Sequence, residues 1–279
     1  MNPWILAARP KTLSASVVPV LVGTALAPRV NWFLFSCALL GAVFIQIGTN
    51  LVNDALDFRR GADTAERLGP VRVTQAGLLG YDAVLRGAYV CFSVAGICGV
   101  PLVIRGGWPI VTIGIASILA AYAYTGGPYP LGYHGLGEFF VLIFFGLIAV
   151  GGSFYVQTLS LSVKAIASGV AVGLLAVALL AINNLRDVNS DRASNKRTLV
   201  VRFGETFGRA EIAASVLIPF GIAVFNWVPL IALPLAIVLI RFVSISKGTH
   251  LNRCLAMAGA LQWTFGILFV IGCFTGHIR

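Results

Sequence analysis

Charged residues are scarce in this sequence. Twenty lysines and arginines and ten acidic residues make up 11% of its 279 positions, whereas soluble domains carry roughly 25%. Hydrophobic residues make up 58%, and the mean hydropathy is +0.91. This composition excludes a soluble enzyme, a disordered chain and a disulfide scaffold, and it predicts a membrane protein.

Cysteine and histidine are too few and too dispersed to form a metal or redox centre. The five cysteines all lie inside apolar runs without a CxxC pair, which argues against thiolate and disulfide sites. The three histidines fall in separate segments: His134, His250 and His277. The net charge of +10 does not indicate nucleic acid, because the basic residues flank apolar segments and so orient the chain in a membrane.

Apolar segments occupy most of the chain. A spanning helix needs about 20 mostly apolar residues, and nine segments approach this requirement: 13–27, 33–53, 84–104, 109–124, 138–159, 163–185, 210–226, 228–245 and 255–275. The predicted fold is therefore all-α, a polytopic integral membrane protein with about nine transmembrane helices.

The basic residues predict the orientation of these helices. With the N-terminus inside, and with residues near span ends counted with the adjacent loop, sixteen lysines and arginines lie on the cytoplasmic side and four on the other. Because positively charged loops resist translocation, we expect a multi-pass protein of the plasma or inner membrane. Its N-terminus and the loops 54–83 and 186–209 would be cytoplasmic.

Nine of the ten acidic residues lie in or at the edges of these two basic loops. Asn53 and Asp57 are four residues apart, as are Asn183, Asp187 and Asp191, so on a helix each set forms one stripe. Carboxylates clustered at the end of an apolar helix are costly unless a cation offsets them. Mg²⁺ binds through one or two carboxylates and substrate phosphates. The pattern thus predicts a phosphorylated ligand, and solvated helix ends are the alternative.

The second acidic segment repeats the first at an offset of 130 residues. Asn53 corresponds to Asn183, Asp57 to Asp187 and Arg72 to Arg202. Residues 1–279 are therefore interpreted as one domain with repeated halves, roughly 1–135 and 136–279. A ligand site between such halves is common in membrane proteins, transporters included, so the repeat alone does not indicate an enzyme.

Basic side chains near both acidic segments are candidates for binding a diphosphate, since arginine and lysine hold phosphate oxygens well. Arg72 and Lys196 are the leading candidates, together with Arg67 and Arg197. Among the tyrosines near the uncharged loop 125–137, Tyr124 is the candidate to face a cation or flat ring. Glu138 and His134 are open. Glu138 fits a substrate role or a helix-dipole contact near a helix start, and His134 fits a base, a donor to the substrate or a solvated loop histidine.

These segments resemble a known family. Asn53 to Asp63 (NDALDFRRGAD) and Asn183 to Asp191 (NNLRDVNSD) are similar to the two aspartate-rich motifs of the UbiA superfamily of intramembrane prenyltransferases. Further matches resemble its 1,4-dihydroxy-2-naphthoate branch, MenA: ARPKTL at 8–13, GP at 69–70, QAGLL at 75–79, YTGGP at 124–128, GLGE at 135–138, YVQT at 155–158 and KRTL at 196–199. Together they cover nearly the whole chain.

The resemblance implies nine helices around a central cavity open to lipid, with Mg²⁺ as the cofactor. It implies metal ligation by Asn53 and Asp57 at one site and by Asp187 and Asp191 at the other. Related enzymes usually carry a third acid four residues after Asp57, where this sequence has Gly61, and the acid Asp63 follows two residues later. Gly61 can break the helix and let Asp63 fold back. Asn195, which replaces a usual glycine, tolerates left-handed backbone.

The implied activity is transfer of a polyprenyl group from polyprenyl diphosphate to 1,4-dihydroxy-2-naphthoate, with loss of diphosphate and CO₂, in menaquinone synthesis. Asp57, Asp187, Asp191 and Tyr124 are the expected catalytic residues. The first alternative is another UbiA-type enzyme acting on hydroxybenzoate, homogentisate or a chlorophyll precursor, and the second is a transporter. Prenyl chain length and oligomeric state have no signal in the sequence.

Overall fold

The computed structural model describes residues 2–63, 68–222 and 225–276. No strand element occurs in these ranges. The helices are α1 Pro3–Ala8, α2 Ser14–Ala25, α3 Trp32–Arg59, α4 Tyr81–Gly106, α5 Trp108–Ala123, α6 Gly137–Thr158, α7 Val163–Arg186, α8 Val188–Ala193, α9 Leu199–Phe203, α10 Glu205–Ile222, α11 Val228–Ile245 and α12 Leu251–Phe274.

The predicted all-α membrane architecture is confirmed, and each of the nine apolar segments contains a helix. Within the described ranges, six helices are long and apolar enough to span a membrane, or seven if α1 and α2, bent by 50° at their junction, count as one. Helix α5 has only 16 residues, and α10 carries Glu205, Arg209 and Glu211 near its start. For this reason the count of nine stays a prediction.

Two hydrophobic clusters form most of the core of the bundle, beside a third of only three buried residues. The larger of the two joins α7 with α2, α10, α11 and α12, and the smaller joins α3 with α4. Helix α7 is central: 72% of its most apolar window is buried, against 17% for α4. Because burial inside the protein leaves little surface for lipid, α7 is the helix around which the larger cluster packs.

A cavity of about 930 Å³ lies between the helices of the two clusters. Most of its wall is apolar, and the polar residues of the first acidic motif and of the α7 C-terminus line one part of it. Residues Leu142–Ile148 of α6 form a π-helical turn, a feature frequent at functional sites. Phe144, Phe145 and Ile148 from this turn line the cavity.

The opposite end of the bundle is tied by hydrogen bonds to Gln157. Its Oε1 accepts from the Asn31 backbone N–H at 2.7 Å, and its Nε2 donates to the Asn31 carbonyl at 3.2 Å. Arg105 donates to the carbonyls of Val156 and Gln157, and the Tyr155 hydroxyl donates to the Gly106 carbonyl. The YVQT segment therefore holds the ends of α3, α4 and α6 together, away from the acidic motifs.

Helices α6 and α7 cross at glycines. A Cβ on Gly173 would lie 2.8 Å from the Cα of Gly146, and one on Gly146 would lie 2.5 Å from the Gly169 carbonyl oxygen. Small residues permit such close backbone approach between membrane helices. The π-helical turn, and with it one wall of the cavity, depends on this contact.

Replacement of Gly173 by alanine should force α6 and α7 apart and cost about 1 to 3 kcal/mol, lowering the thermal unfolding midpoint in detergent. Gly114→Ala in α5 is the matched control, because nothing lies within 4 Å of its Cβ position and alanine favours a helix by up to about 1 kcal/mol. Equal midpoints for the two variants would contradict the close-contact interpretation.

Candidate active site

The first acidic motif lies at the C-terminal end of α3. Asp57 is buried, and its carboxylate accepts from the Tyr133 hydroxyl at 2.8 Å and from Arg72 Nη2 at 3.3 Å. Burial, followed by the negative charge of Asp57, raises the pKa of Tyr133. The tyrosine therefore stays protonated and remains a donor to Asp57.

Gly61 ends this segment as the helix-break prediction requires. Its φ is 70°, in the region that favours glycine. The chain then turns back, and the Asp63 carboxylate lies 3.1 Å from Arg72 Nε. Arg72 thus bridges Asp57 and Asp63, which brings the displaced acid beside the first motif.

Asp54 has a different task from Asp57. It is 1% exposed, and its two oxygens accept from the backbone N–H groups of Val73 at 3.1 Å and Thr74 at 2.9 Å. These bonds fix the backbone at Val73 and Thr74 and so hold the neighbouring Arg72 over the motif. Asp54 is a positioning residue for the loop.

The second acidic motif lies at the end of α7 and in α8. Asp187 pairs with Arg186 at 2.6 Å, and Arg186 also donates to Asn252 Oδ1 at 2.8 Å. Asp191 lies 3.5 Å from Lys196 Nζ. Asn195 has φ of 57°, so the predicted left-handed turn returns Lys196 to Asp191.

The ion pair with Lys196 only partly offsets the burial of the Asp191 carboxylate. Burial, together with the nearby charge of Asp187 and against the opposing effect of Lys196, raises its pKa to about 6. None of the described residues donates a hydrogen bond to its buried Oδ2. A cation supplied with a ligand would offset this cost.

The two motifs meet at one small polar cavity of about 30 Å³. Its wall is formed by Asp57, Ala62, Asp63, Arg72, Asp187, Ser190, Asp191 and Lys196. Four of these residues also line the large cavity, namely Asp57, Arg72, Asp187 and Lys196. The acidic and basic groups of both motifs therefore lie where the polar pocket adjoins the apolar one.

The donor set suits a hard cation bound together with a ligand. Among the described residues, no three acidic, cysteine or histidine side chains are grouped closely enough to hold an ion by themselves. Mg²⁺ uses one or two carboxylates, phosphate oxygens and water. Carboxylates from two motifs, together with the buried Asp191 Oδ2 that accepts no hydrogen bond from the described residues, fit this mode better than they fit a closed protein cage.

Most of the predicted site residues that the structure describes line one of the two cavities, and Arg197 does not. Asn53, which accepts from the Thr125 hydroxyl at 2.6 Å, and Tyr124 line the large cavity. The Arg197 side chain is exposed, and its backbone N–H bonds to the Tyr133 carbonyl at 2.9 Å. Arg67 lies outside the described residues.

Hydrogen bonds of His134 and Arg202 hold the loop at 125–137 beside the site. The Nδ1–H of His134 donates to the Pro130 carbonyl at 2.9 Å, and the ring stacks on Tyr129 with a centroid distance of 3.6 Å. Arg202, the counterpart of Arg72 in the repeat, donates to the carbonyls of Arg197 and His134. The two repeat arginines thus have different partners.

Sequence reasoning missed three features of the site. Tyr133 was one of a tyrosine cluster, yet it is the one that bonds to Asp57, with Arg60 and Lys196 over its ring. Arg186 was only part of a motif match, yet it neutralises Asp187. Asn184 pairs with Glu138 across 46 positions, and no local pattern reveals such a contact.

Taken together, the fold and site define a polytopic membrane protein in which two acidic motifs and their basic partners face an apolar cavity. The model of the UbiA prenyltransferase family matches residues 16–255. The chain belongs to the UbiA prenyltransferase family.

Known proteins similar to this chain agree with that assignment. It is 34% identical to the 1,4-dihydroxy-2-naphthoate octaprenyltransferase of Haemophilus influenzae, covering 99% of this chain and 97% of the relative. The Escherichia coli protein of the same name is 37% identical, covering 97% and 94%. The structure of a UbiA homolog from Archaeoglobus fulgidus bound to GPP and Mg²⁺ has a TM-score of 0.67 at 14% identity, covering 98% of each chain, which shows a shared fold.

Replacement of Asp54 by alanine should lower stability by about 2 to 4 kcal/mol, because it removes two charge-assisted hydrogen bonds and leaves buried N–H groups without partners. Thermal unfolding in detergent measures the loss. Asp82→Ala is the control, since Asp82 is exposed in the first turn of α4 and contributes only a helix-dipole interaction of about 0.3 to 1 kcal/mol. If both variants unfold together, Asp54 does not hold the loop.

Proposed function

We propose that this protein transfers a polyprenyl group from polyprenyl diphosphate to 1,4-dihydroxy-2-naphthoate and yields demethylmenaquinol for menaquinone synthesis. The observation that carries the proposal is the convergence of two acidic motifs and their basic partners at the polar end of one apolar cavity. The acceptor is supported by the names of the relatives, which align over nearly the full chain.

The acidic residues would hold Mg²⁺ and the basic ones the diphosphate. Asn53, Asp57 and Asp63 form the first metal-binding group, and Asp187 and Asp191 form the second. Mg²⁺, when bound, would neutralise the diphosphate and stabilise it as a leaving group. This assignment is supported by Asp191 Oδ2, which accepts no hydrogen bond from the described residues, and by the Archaeoglobus structure bound to GPP and Mg²⁺.

Arg72 and Lys196 are proposed to bind phosphate oxygens, since both line the large and the small cavity. Without a ligand, Arg72 pairs with Asp57 and Asp63, and Lys196 pairs with Asp191. Arginine is suited to bidentate phosphate contacts and lysine to a point contact. Arg197 has an exposed side chain that lines neither cavity, and Arg67, which lies outside the described residues, stays a candidate from the sequence.

The reaction balances without a further co-reactant. The C–O bond to diphosphate breaks with its electron pair leaving on the diphosphate, and the electron-rich ring forms the new C–C bond. The ring carboxylate leaves as CO₂ and returns its electron pair to the ring. The apolar cavity would exclude water from the allylic cation, and Tyr124 would offer its ring face to that charge.

The protein would lie in the plasma or inner membrane as one domain of two repeated halves, roughly 1–135 and 136–279. The excess of basic residues around the acidic motifs supports a cytoplasmic active site. A cytoplasmic opening admits the water-soluble naphthoate, while the apolar cavity accommodates the prenyl tail.

The direct test is incubation of the purified protein in detergent with 1,4-dihydroxy-2-naphthoate and isoprenyl diphosphates of several lengths, with and without Mg²⁺, followed by mass spectrometry. We expect a decarboxylated prenyl-naphthoquinol that requires Mg²⁺. Prenylation of 4-hydroxybenzoate or homogentisate instead would overturn the acceptor and retain the reaction type. Absence of any prenylated ring from folded protein would favour the transporter alternative.

Asp187→Asn should lower turnover by at least about 100-fold, because a metal-binding carboxylate is lost, while the protein still inserts and folds. Asp82→Asn is the matched control and should keep wild-type turnover, since Asp82 lies in α4 away from both cavities. Equal turnover in the two variants would contradict the role of Asp187, provided that both elute as folded protein from size exclusion.

A further inference from the structure

A buried polar pair lies beside the diphosphate end of the cavity. Asn184 Nδ2 donates to Glu138 Oε1 at 2.7 Å, and the two residues are only 6% and 8% exposed. Burying a carboxylate costs free energy unless hydrogen bonds or a nearby positive charge offset the loss of hydration. The two acidic motifs do not account for Glu138, which stands in neither.

This pair fixes which atom Asn184 presents to the cavity. A carboxylate can only accept hydrogen bonds, so the amide nitrogen must point toward Glu138 and the amide oxygen away from it. No described residue donates to Asn184 Oδ1, and Asn184 lines the large cavity. The wall therefore offers a hydrogen-bond acceptor to whatever occupies the cavity.

Tyr124 stands on the same wall. A Cβ added to Gly137, the residue before Glu138, would lie 2.9 Å from the Tyr124 hydroxyl oxygen. A Cβ added to Gly132 would lie 2.9 Å from the Tyr124 ring. The two glycines leave room for the tyrosine ring. The wall thus combines a flat aromatic face with a fixed amide oxygen, which suits an aromatic ring that carries a hydroxyl group.

The position of Asn184 relative to Asp187 suits an acceptor site. The two residues are three positions apart at the end of α7, so they lie on neighbouring parts of one face with an axial rise of about 4.5 Å. At the offset of 130, Asn184 corresponds to Asp54, which binds the backbone of the loop instead. The second half of the chain thus has a cavity-lining amide where the first half has a structural carboxylate.

We propose that Asn184 Oδ1 accepts a hydrogen bond from a ring hydroxyl of the aromatic substrate, and that Glu138 is the positioning residue that holds the amide in this orientation. The inference rests on the proposed function and adds the place and polarity of its acceptor site. The negative charge of Glu138 also disfavours the diphosphate on this wall, which keeps the two substrates on separate sides.

The test compares the two substrates of the full-length protein. Asn184→Leu should raise the KM for 1,4-dihydroxy-2-naphthoate about tenfold, the value of one hydrogen bond, and leave the KM for the polyprenyl diphosphate within about twofold. Glu138→Leu should do the same, and Glu138→Gln, which keeps an accepting oxygen, should restore most of the loss. Phe139→Leu is the control, since Phe139 is exposed on α6.

A second measurement does not require turnover. Dissociation constants of 1-hydroxy-2-naphthoate and 4-hydroxy-2-naphthoate, each lacking one hydroxyl, measured by calorimetry in detergent, should differ in the wild type, and the difference should vanish in Asn184→Leu. If the wild-type protein prenylates naphthoate but Asn184→Leu changes only the KM for the diphosphate, or keeps the hydroxyl preference, the inference is overturned while the proposed function stands.

Failure of the proposed function gives a different result. If the wild-type protein prenylates another hydroxyaromatic acid, the same comparison with that ring decides the role of Asn184. If no ring is prenylated and neither naphthoate inhibits or binds, both the function and the acceptor site are wrong. Thermal midpoints of all variants, measured in the same detergent, separate a local effect from loss of fold.

Discussion

The structure depends on the cost of burying carboxylates at the ends of apolar helices. Asp57, Asp63, Asp187 and Asp191 surround one small cavity, and an unpaired charge in such a place costs several kcal/mol. Among the described residues, Arg72, Arg186 and Lys196 form ion pairs with these carboxylates in the ligand-free protein. The buried Oδ2 of Asp191 accepts no hydrogen bond from any described residue, so a cation bound beside it would lower the cost further.

The same requirement explains the loops. Asp54 fixes the chain that carries Arg72, and the left-handed turn at Asn195 returns Lys196 to Asp191. Tyr133, which binds Asp57, accepts the Arg197 backbone N–H through its carbonyl and so joins the loop before α6 to the loop after α8. The helices supply the apolar cavity and the charges of Asp57, Arg186 and Asp191. The loops add Asp63, Arg72 and Lys196 at its polar end.

Hydropathy and spacing were sufficient to predict the helices and the two acidic motifs, because these depend on local periodicity. The repeat at an offset of 130 residues predicted that the two motifs meet in one site. The number of spans was harder to predict, since a 16-residue helix and a helix with three charged residues lie at the limit of what length and composition decide. Tyr133 and the Glu138–Asn184 pair escaped prediction because their partners lie 76 and 46 positions away. The repeat offset, extended by one residue from Asn183, would have indicated Asn184.

The central claim is that both motifs bind one diphosphate. Its most direct test is an experimental structure of the protein with Mg²⁺ and a non-reactive thiodiphosphate analogue of the prenyl substrate. We predict the diphosphate at the small cavity, with Asp57 and Asp187 each within reach of a metal ion and with the tail in the apolar cavity. A diphosphate held by one motif alone, or bound elsewhere, would contradict this account.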